Sequence, residues 1–409
     1  MHIESLVTTA LRGLSAFSRF FLFVYLGRNA DIELLGAFGV IAALCAIIVQ
    51  FAGLELHYIN ARVLLSVPGE ERGKYLYDQF YFHLLTHLVL LPWLLLVFIL
   101  GYLDPGLAIY VIPLIFFEHF SQEMFRVLVT LFRPVLATLI LFIRSGLWIF
   151  AFIGITALFE LQITIKGVIL AWLLSSFAAF IIGLFVLRGV AGKWHRFSGI
   201  DWKWLQSAVV MTFPFIINTV LFTTMQSLDR LVLNYHHGES STGVFFFFSS
   251  MASAFYLVLS FSVGIFHGPR AIQAFKLGQL DEYQKERALI IKKYIRIGAI
   301  IIVPAIFSIY PILWIVDKAA YAEYVVVYWI MLGANILLVV SDVINFDLYV
   351  REKDRAIMFS VIVCFIAALV AQVALVPDFG VIGAAIATTF AYMLLGLSRW
   401  LLVKKLAFA

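Results

Sequence analysis

The sequence is poor in charge. Asp, Glu, Lys and Arg make up 13% of its 409 residues, roughly half the share usual for a soluble domain. So sparse a set cannot coat a water-soluble body of this size. A hydrophobic fraction of 63% and a mean hydropathy of +1.02 point instead to an integral membrane protein. Cysteine is nearly missing: Cys45 and Cys364 both lie in apolar runs, which excludes a disulfide framework and any Cys-based metal spacing. The net charge of +5 comes without a Lys/Arg run or an RNP-like pattern, so no nucleic-acid partner is expected. H-E-x-x-H, G-x-S-x-G and Walker A patterns are also missing, so the chain carries no recognisable catalytic signature.

What is present is a series of long apolar runs. Each needs ~20 residues to cross a bilayer, and about twelve are found, at 5–26, 34–56, 79–103, 106–126, 135–158, 167–187, 205–235, 243–266, 294–316, 325–350, 357–375 and 382–403. The start, Met1-His2-Ile3-Glu4, has no basic segment of the signal-peptide kind, so the first run reads as a permanent span. About 20 of the 29 Lys/Arg fall in alternate connections and tails, among them Arg72, Lys74, Arg133, Arg188, Lys203, Arg351, Lys404 and Lys405. The other set of loops holds only Arg28, Lys166 and Lys318. This asymmetry predicts both termini in the cytoplasm. The segment 267–293, with Asp281, Glu282, Lys285, Glu286 and Arg287, reads as an amphipathic helix feeding the ninth span.

An internal repeat organises the spans. Gly167–Leu184 aligns without gaps on Gly380–Leu397 at an offset of 213 residues, with eight of eighteen positions identical. Ser175-Ser176 faces Thr388-Thr389 in this register. Small-residue packing explains the glycines but not the shared Gly-Val-Ile opening. Six spans per half preserve orientation, so the halves are expected to be parallel repeats about an axis along the membrane normal. The predicted fold is all-α, with an N-terminal lobe at 1–190, a cytoplasmic linker at 191–204, a C-terminal lobe at 205–409 and a central cavity. That is the geometry of a transporter.

Six basic residues fall inside spans, and all are arginine: Arg12, Arg19, Arg144, Arg230, Arg296 and Arg399. A charge at mid-bilayer costs ~2.5–3.5 kcal/mol on the insertion scale. Arg296 and Arg399 lie near cytoplasmic ends, where a long side chain can snorkel. Arg12 and Arg19 are two turns apart, on one helix face and ~10 Å from each other along the axis. With Ser5, Thr8 and Ser15 they polarise the first span. Two readings are open: pairing with acids of neighbouring helices, or lining a polar cavity. Asn218, Thr223, Thr224, Gln226, Asp229 and Arg230 polarise the seventh span in the same way, where Asp229-Arg230 is a candidate for pairing across the lobes.

Arginine keeps its charge in a low-dielectric site and forks onto phosphate oxygens. The candidate binding residues for an anionic cargo, above all a diphosphate, are therefore Arg12, Arg19, Arg144 and Arg230. Among the intramembrane acids, Glu118, Asp229 and Asp342 are candidates for a coupling H+ or Na+, and Glu123 with Arg126 reads as a structural i,i+3 pair. His83 and His87 lie one turn apart without an acidic or Cys partner nearby in sequence, so no metal site and no cofactor are expected. Phe245–Phe248 reads as lipid-facing or packing surface.

Three motifs carry a resemblance. Leu228-Asp229-Arg230-Leu231-Val232-Leu233 followed by Gly238 and Gly243-Val244-Phe245, Leu26-Gly27 with Leu35-Gly36-Ala37-Phe38, and Gly380-Val381-Ile382-Gly383-Ala384-Ala385 resemble polysaccharide flippases. These are the Wzx-type, polysaccharide transport branch of the multidrug/oligosaccharidyl-lipid/polysaccharide exporter superfamily. The resemblance implies a bacterial inner-membrane flippase that moves an undecaprenyl-diphosphate-linked oligosaccharide, such as an O-antigen unit, to the periplasmic leaflet by alternating access. It implies a cationic cavity, matched here by Arg12, Arg19 and Arg230 in helix and character. It also implies membrane lipid, polysaccharide polymerase and chain-length proteins as partners. The competing readings are a multidrug or cation extruder of the same fold, whose cavity would be dominated by acids, and a membrane glycan polymerase or ligase, which would need a large outward loop.

Overall fold

The computed structural model describes residues 2–190 and 200–407, with backbone alone at 2, 3, 5, 6, 190, 261–269, 406 and 407. Most of the expected 191–204 linker lies outside the described residues. All regular structure among the described residues is helical: α1 (His2–Asn29), α2 (Ile32–Gly53), α3 (His57–Ser66), α4 (Arg72–Ile99), α5 (Ala108–Thr130), α6 (Pro134–Phe142), α7 (Trp148–Leu158), α8 (Ile165–Val190), α9 (Trp202–Met225), α10 (Leu228–Lys276), α11 (Leu280–Val316), α12 (Ala319–Glu323), α13 (Val325–Val350) and α14 (Asp354–Ala407).

Nine helical stretches among the described residues are long and apolar enough to cross a membrane. Two of them, 202–260 and 354–405, hold two passes each, because the backbone breaks at Gly238 (φ 73°) and Gly380 (φ 52°). A residue with a side chain rarely adopts either conformation, so glycine is what lets the chain turn back there. Helix α5 has the length of a pass at 23 residues, but Glu118, Glu123 and Arg126 dilute its apolar character. Counted this way the described residues make the expected twelve passes.

Two compact units emerge. The first comprises Met1–Leu22 and Ile41–Thr223, the second Phe23–Val40 and Thr224–Ala409. This partition differs from a division at 1–190 and 205–409, since α9 groups with the first unit and the α1–α2 connection with the second.

Within the first unit, Phe120, Met124, Val127 and Leu128 of α5 pack against Ala179, Phe180 and Leu187 of α8 and Ile140 of α6. Gly183 permits the close crossing, because a Cβ there would collide with Met124. Helix α3, which falls in the expected loop 57–78, is anchored by Leu56 and Ile59 against Leu205 and Ala208 of α9. Burial and the neighbouring Arg126 hold the His57 imidazole down at about 4, below its ordinary 6.5.

Within the second unit, two glycines of the resemblance motifs meet. A Cβ on Gly36 would strike the Glu239 carbonyl, and one on Gly243 would strike the Ile32 carbonyl. The motifs are therefore the two sides of one close helix crossing. Phe245, Phe247 and Phe248 are fully buried, and Phe246 packs on Phe23 and Phe38, so this run is packing surface rather than lipid-facing. Lys318 donates to the Ala30 carbonyl. Burial pulls its ammonium below the usual lysine range, and Asp31 and Glu33 oppose that pull.

Candidate functional site

Of the six arginines placed inside spans, Arg12, Arg19 and Arg296 have no hydrogen-bond or ion-pair partner among the described residues, and two of these three lie on α1. Arg19 is exposed and makes no hydrogen bond or ion pair among the described residues, though it lies within electrostatic reach of Glu118 and Arg144. Arg12 is half-buried, and its Nε is sealed from solvent without a hydrogen-bond partner. The serines of the same helix are satisfied locally. Ser15 Oγ donates to the Leu11 carbonyl at 2.8 Å, and Ser18 Oγ to the Ser15 carbonyl at 2.9 Å.

Arg144 is placed differently. The fifth pass is broken by a π-helical turn at Ile143–Leu147 between α6 and α7, a local widening often found where a helix aims a side chain at a functional position. From this turn Arg144 donates through Nη1 to Glu118 Oε1 at 2.8 Å and to Gln122 Oε1 at 3.3 Å. The other Glu118 oxygen accepts from Ser176 at 2.8 Å and from Trp172 Nε1 at 3.2 Å. Glu118 thus ties three passes together, and Arg144 is 8% exposed. Arg144 is thus ion-paired with Glu118, unlike Arg12 and Arg19. Ser176 donates to an acid, whereas its counterpart in the repeat, Thr389, donates to the Ala385 carbonyl of its own helix.

The remaining candidates lie in the second unit. Arg230 donates to the Gln226 carbonyl at 2.8 Å and to Asp229 Oδ1 at 3.4 Å, and its guanidinium sits 5.1 Å from the centre of the Phe246 ring. Asp229, 3% exposed, also accepts from Thr388 at 3.3 Å, which in turn accepts from Gln372 at 3.1 Å. The acid and base that the sequence offers for pairing elsewhere are thus bonded to each other. Asp342 accepts from Tyr256 at 2.7 Å and from Arg399 at 3.2 Å. Its side chain is 35% exposed, the most open of the three candidate acids. Arg399 does not snorkel: at 4% exposed it is fixed between Ser341 and Asp342.

A second polar centre in the first unit escapes a reading along the chain. Glu123 accepts from Arg126 at 2.6 Å and from Gln79 at 2.8 Å, and lies 3.6 Å from His83 and 3.8 Å from His119. Gln79, His83 and His87 recur every fourth residue on α4, as do His119 and Glu123 on α5. That shared period on neighbouring helices is the signal that foretells their meeting.

No protein-family model matches the sequence, and no characterised protein matches it by sequence. Solved structures match throughout its length. An inward-facing multidrug resistance MATE family transporter of the MOP superfamily superposes with a TM-score of 0.76 at 14% identity, over 97% of this chain and 93% of that one. The lipid II flippase MurJ, in an inward closed conformation, gives 0.73 at 16% identity over 99% and 88%. The MATE multidrug transporter DinF-BH gives 0.63 at 14% identity over 99% and 94%. This chain therefore has the all-α, twelve-helix fold of multi-pass membrane transporters. Its neighbours in fold are transporters and a flippase, not enzymes.

Proposed function

We propose that this chain belongs to the same superfamily and is a flippase for a polyprenyl-diphosphate-linked oligosaccharide. It moves that lipid from the cytoplasmic to the periplasmic leaflet of a bacterial inner membrane by alternating access of two lobes. The observation that carries this reading is the charge balance inside the spans. Glu118, Asp229 and Asp342 each have an arginine partner in Arg144, Arg230 and Arg399. Arg12, Arg19 and Arg296 have none among the described residues, and only Arg12 and Arg19 share one helix. The uncompensated charge is thus positive, and a guanidinium pair stacked along one helix face is suited to a diphosphate. A fold shared with a lipid II flippase supports this reading. Arg230 is a secondary contact, freed when Asp229 is neutralised or displaced. Asp342, as the most open of the acids, is the proposed site for a coupling H+ or Na+. Orientation follows from the Lys/Arg asymmetry, with both termini in the cytoplasm.

The second reading, multidrug extrusion, is favoured by the accessible Asp342 carboxylate and by the MATE fold neighbours. Reconstitution separates the two. In vesicles holding a fluorescent undecaprenyl-diphosphate sugar, the wild type should expose the label to an impermeant quencher, and Arg12→Ala/Arg19→Ala should not. Drug efflux without lipid movement would favour the second reading.

A further inference from the structure

The Glu123 centre has the makings of a metal site. His83 Nε2, His119 Nε2 and the Glu123 carboxylate are all buried, and one ligand atom from each lies within 4.8 Å of the others. Tetrahedral coordination at ~2.0–2.1 Å places ligand atoms about 3.4 Å apart. His83 Nε2 lies 3.6 Å from Glu123 Oε2 and His119 Nε2 3.8 Å from Glu123 Oε1, so closing on one ion requires side-chain rotation about the carboxylate.

The hydrogen bonds around the cluster orient lone pairs inward. His83 Nδ1 lies 3.2 Å from the Ala52 carbonyl, which fixes the proton on that nitrogen and presents Nε2 as a ligand. Both ring nitrogens of His119 are sealed from solvent without a hydrogen-bond partner, although His119 is 0% exposed. So is Nε2 of His87, which stacks on His119 with ring centroids 4.9 Å apart. Buried polar atoms are nearly always partnered, so several orphaned imidazole nitrogens beside one carboxylate call for an occupant. A cavity of about 30 Å³, mostly apolar in its lining, reaches Gln79, His83 and Glu123. Gly53, the last residue of α2, leaves the space clear: a Cβ there would lie 3.3 Å from His119 Nε2 and 3.7 Å from Glu123 Oε1.

We infer that His83, His119 and Glu123 form a binding site for a divalent first-row transition ion of the Zn2+ type. Two imidazoles and one carboxylate suit such an ion, whereas Ca2+ and Mg2+ prefer all-oxygen shells. The resident competitors are Arg126, which holds Glu123 Oε1 and is one-fifth exposed, and the Gln79 amide, 2.8 Å from Glu123 Oε2 and 3.2 Å from His83 Nε2. Metal entry turns the Arg126 guanidinium outward and displaces the Gln79 amide. The site joins α2, α4 and α5 and does not depend on what the protein carries.

The test uses the full chain in detergent, stripped with chelator, with Zn2+ measured by calorimetry and Co2+ by its visible absorption. One equivalent should bind, with the intense bands of a low-symmetry four-coordinate cobalt. His119→Phe keeps an aromatic ring among Phe116, Phe120 and the other rings and should weaken binding roughly a hundredfold or more. Gly53→Ala, which alters no ligand, should weaken it about tenfold or more. Arg126→Gln should tighten it by removing the competing charge. Failure to bind one equivalent, or binding unchanged in folded His119→Phe and Gly53→Ala proteins, would overturn the assignment.

Discussion

Two arginines seven residues apart and a third in a π-turn look alike in sequence but differ in what they meet. Arg144 ends on a carboxylate that also holds Ser176 and Trp172, while Arg19 ends on none. Removing one member of a buried pair costs about 3–5 kcal/mol, because the other is left uncompensated. Glu118→Gln should therefore lower stability in detergent by that order, and Glu118→Gln/Arg144→Gln should recover much of it. Arg19→Ala should instead leave thermal stability nearly unchanged while abolishing lipid movement, and Arg19→Lys should retain part of it. His57 gives a pH prediction. With a folded value of about 4 against an ordinary 6.5, the folded state resists the proton that the unfolded chain accepts. Its contribution is intact above pH ~6.5 and falls as pH drops through about 4. His57→Gln should flatten that part of a stability–pH curve. The sequence shows which residues carry charge in the membrane, since rarity alone marks them. It does not show that Arg144 meets Glu118, which is 26 residues away on an antiparallel neighbour.

At the scale of elements, hydropathy places the passes well because each must bury a backbone in lipid. It also places the breaks at Gly238 and Gly380, both within the motifs that carry the resemblance. The π-turn at Ile143–Leu147 and the short α3 are not legible, because both depend on partners distant in sequence. Gly238 offers a clean test of backbone strain. No atom lies within 4 Å of the place a Cβ would take, yet φ is 73°. Gly238→Ala should cost about 1–3 kcal/mol through conformation alone, read as a lowered midpoint in denaturant. Glycine-to-alanine at Gly36 should do harm by the other route, through collision with the Glu239 carbonyl.

For the whole molecule, the count of passes and the class of fold follow from composition and length, and the solved structures agree at 14–16% identity. What one chain read end to end does not yield is which cations remain free once twelve passes have paired their charges. Orientation is checked with a reporter fused after Lys405, which should be active only on the cytoplasmic side. The central claim is that Arg12 and Arg19, left without acids, hold a lipid diphosphate. Calorimetric binding of a short-chain polyprenyl diphosphate to the purified protein tests it most directly. Each charge-assisted contact is worth about 1.5–3 kcal/mol, tenfold or more in affinity. Wild type should prefer the diphosphate to its monophosphate, and a folded Arg12→Ala/Arg19→Ala protein should bind it at least tenfold more weakly. Unchanged affinity in that double variant would contradict the account.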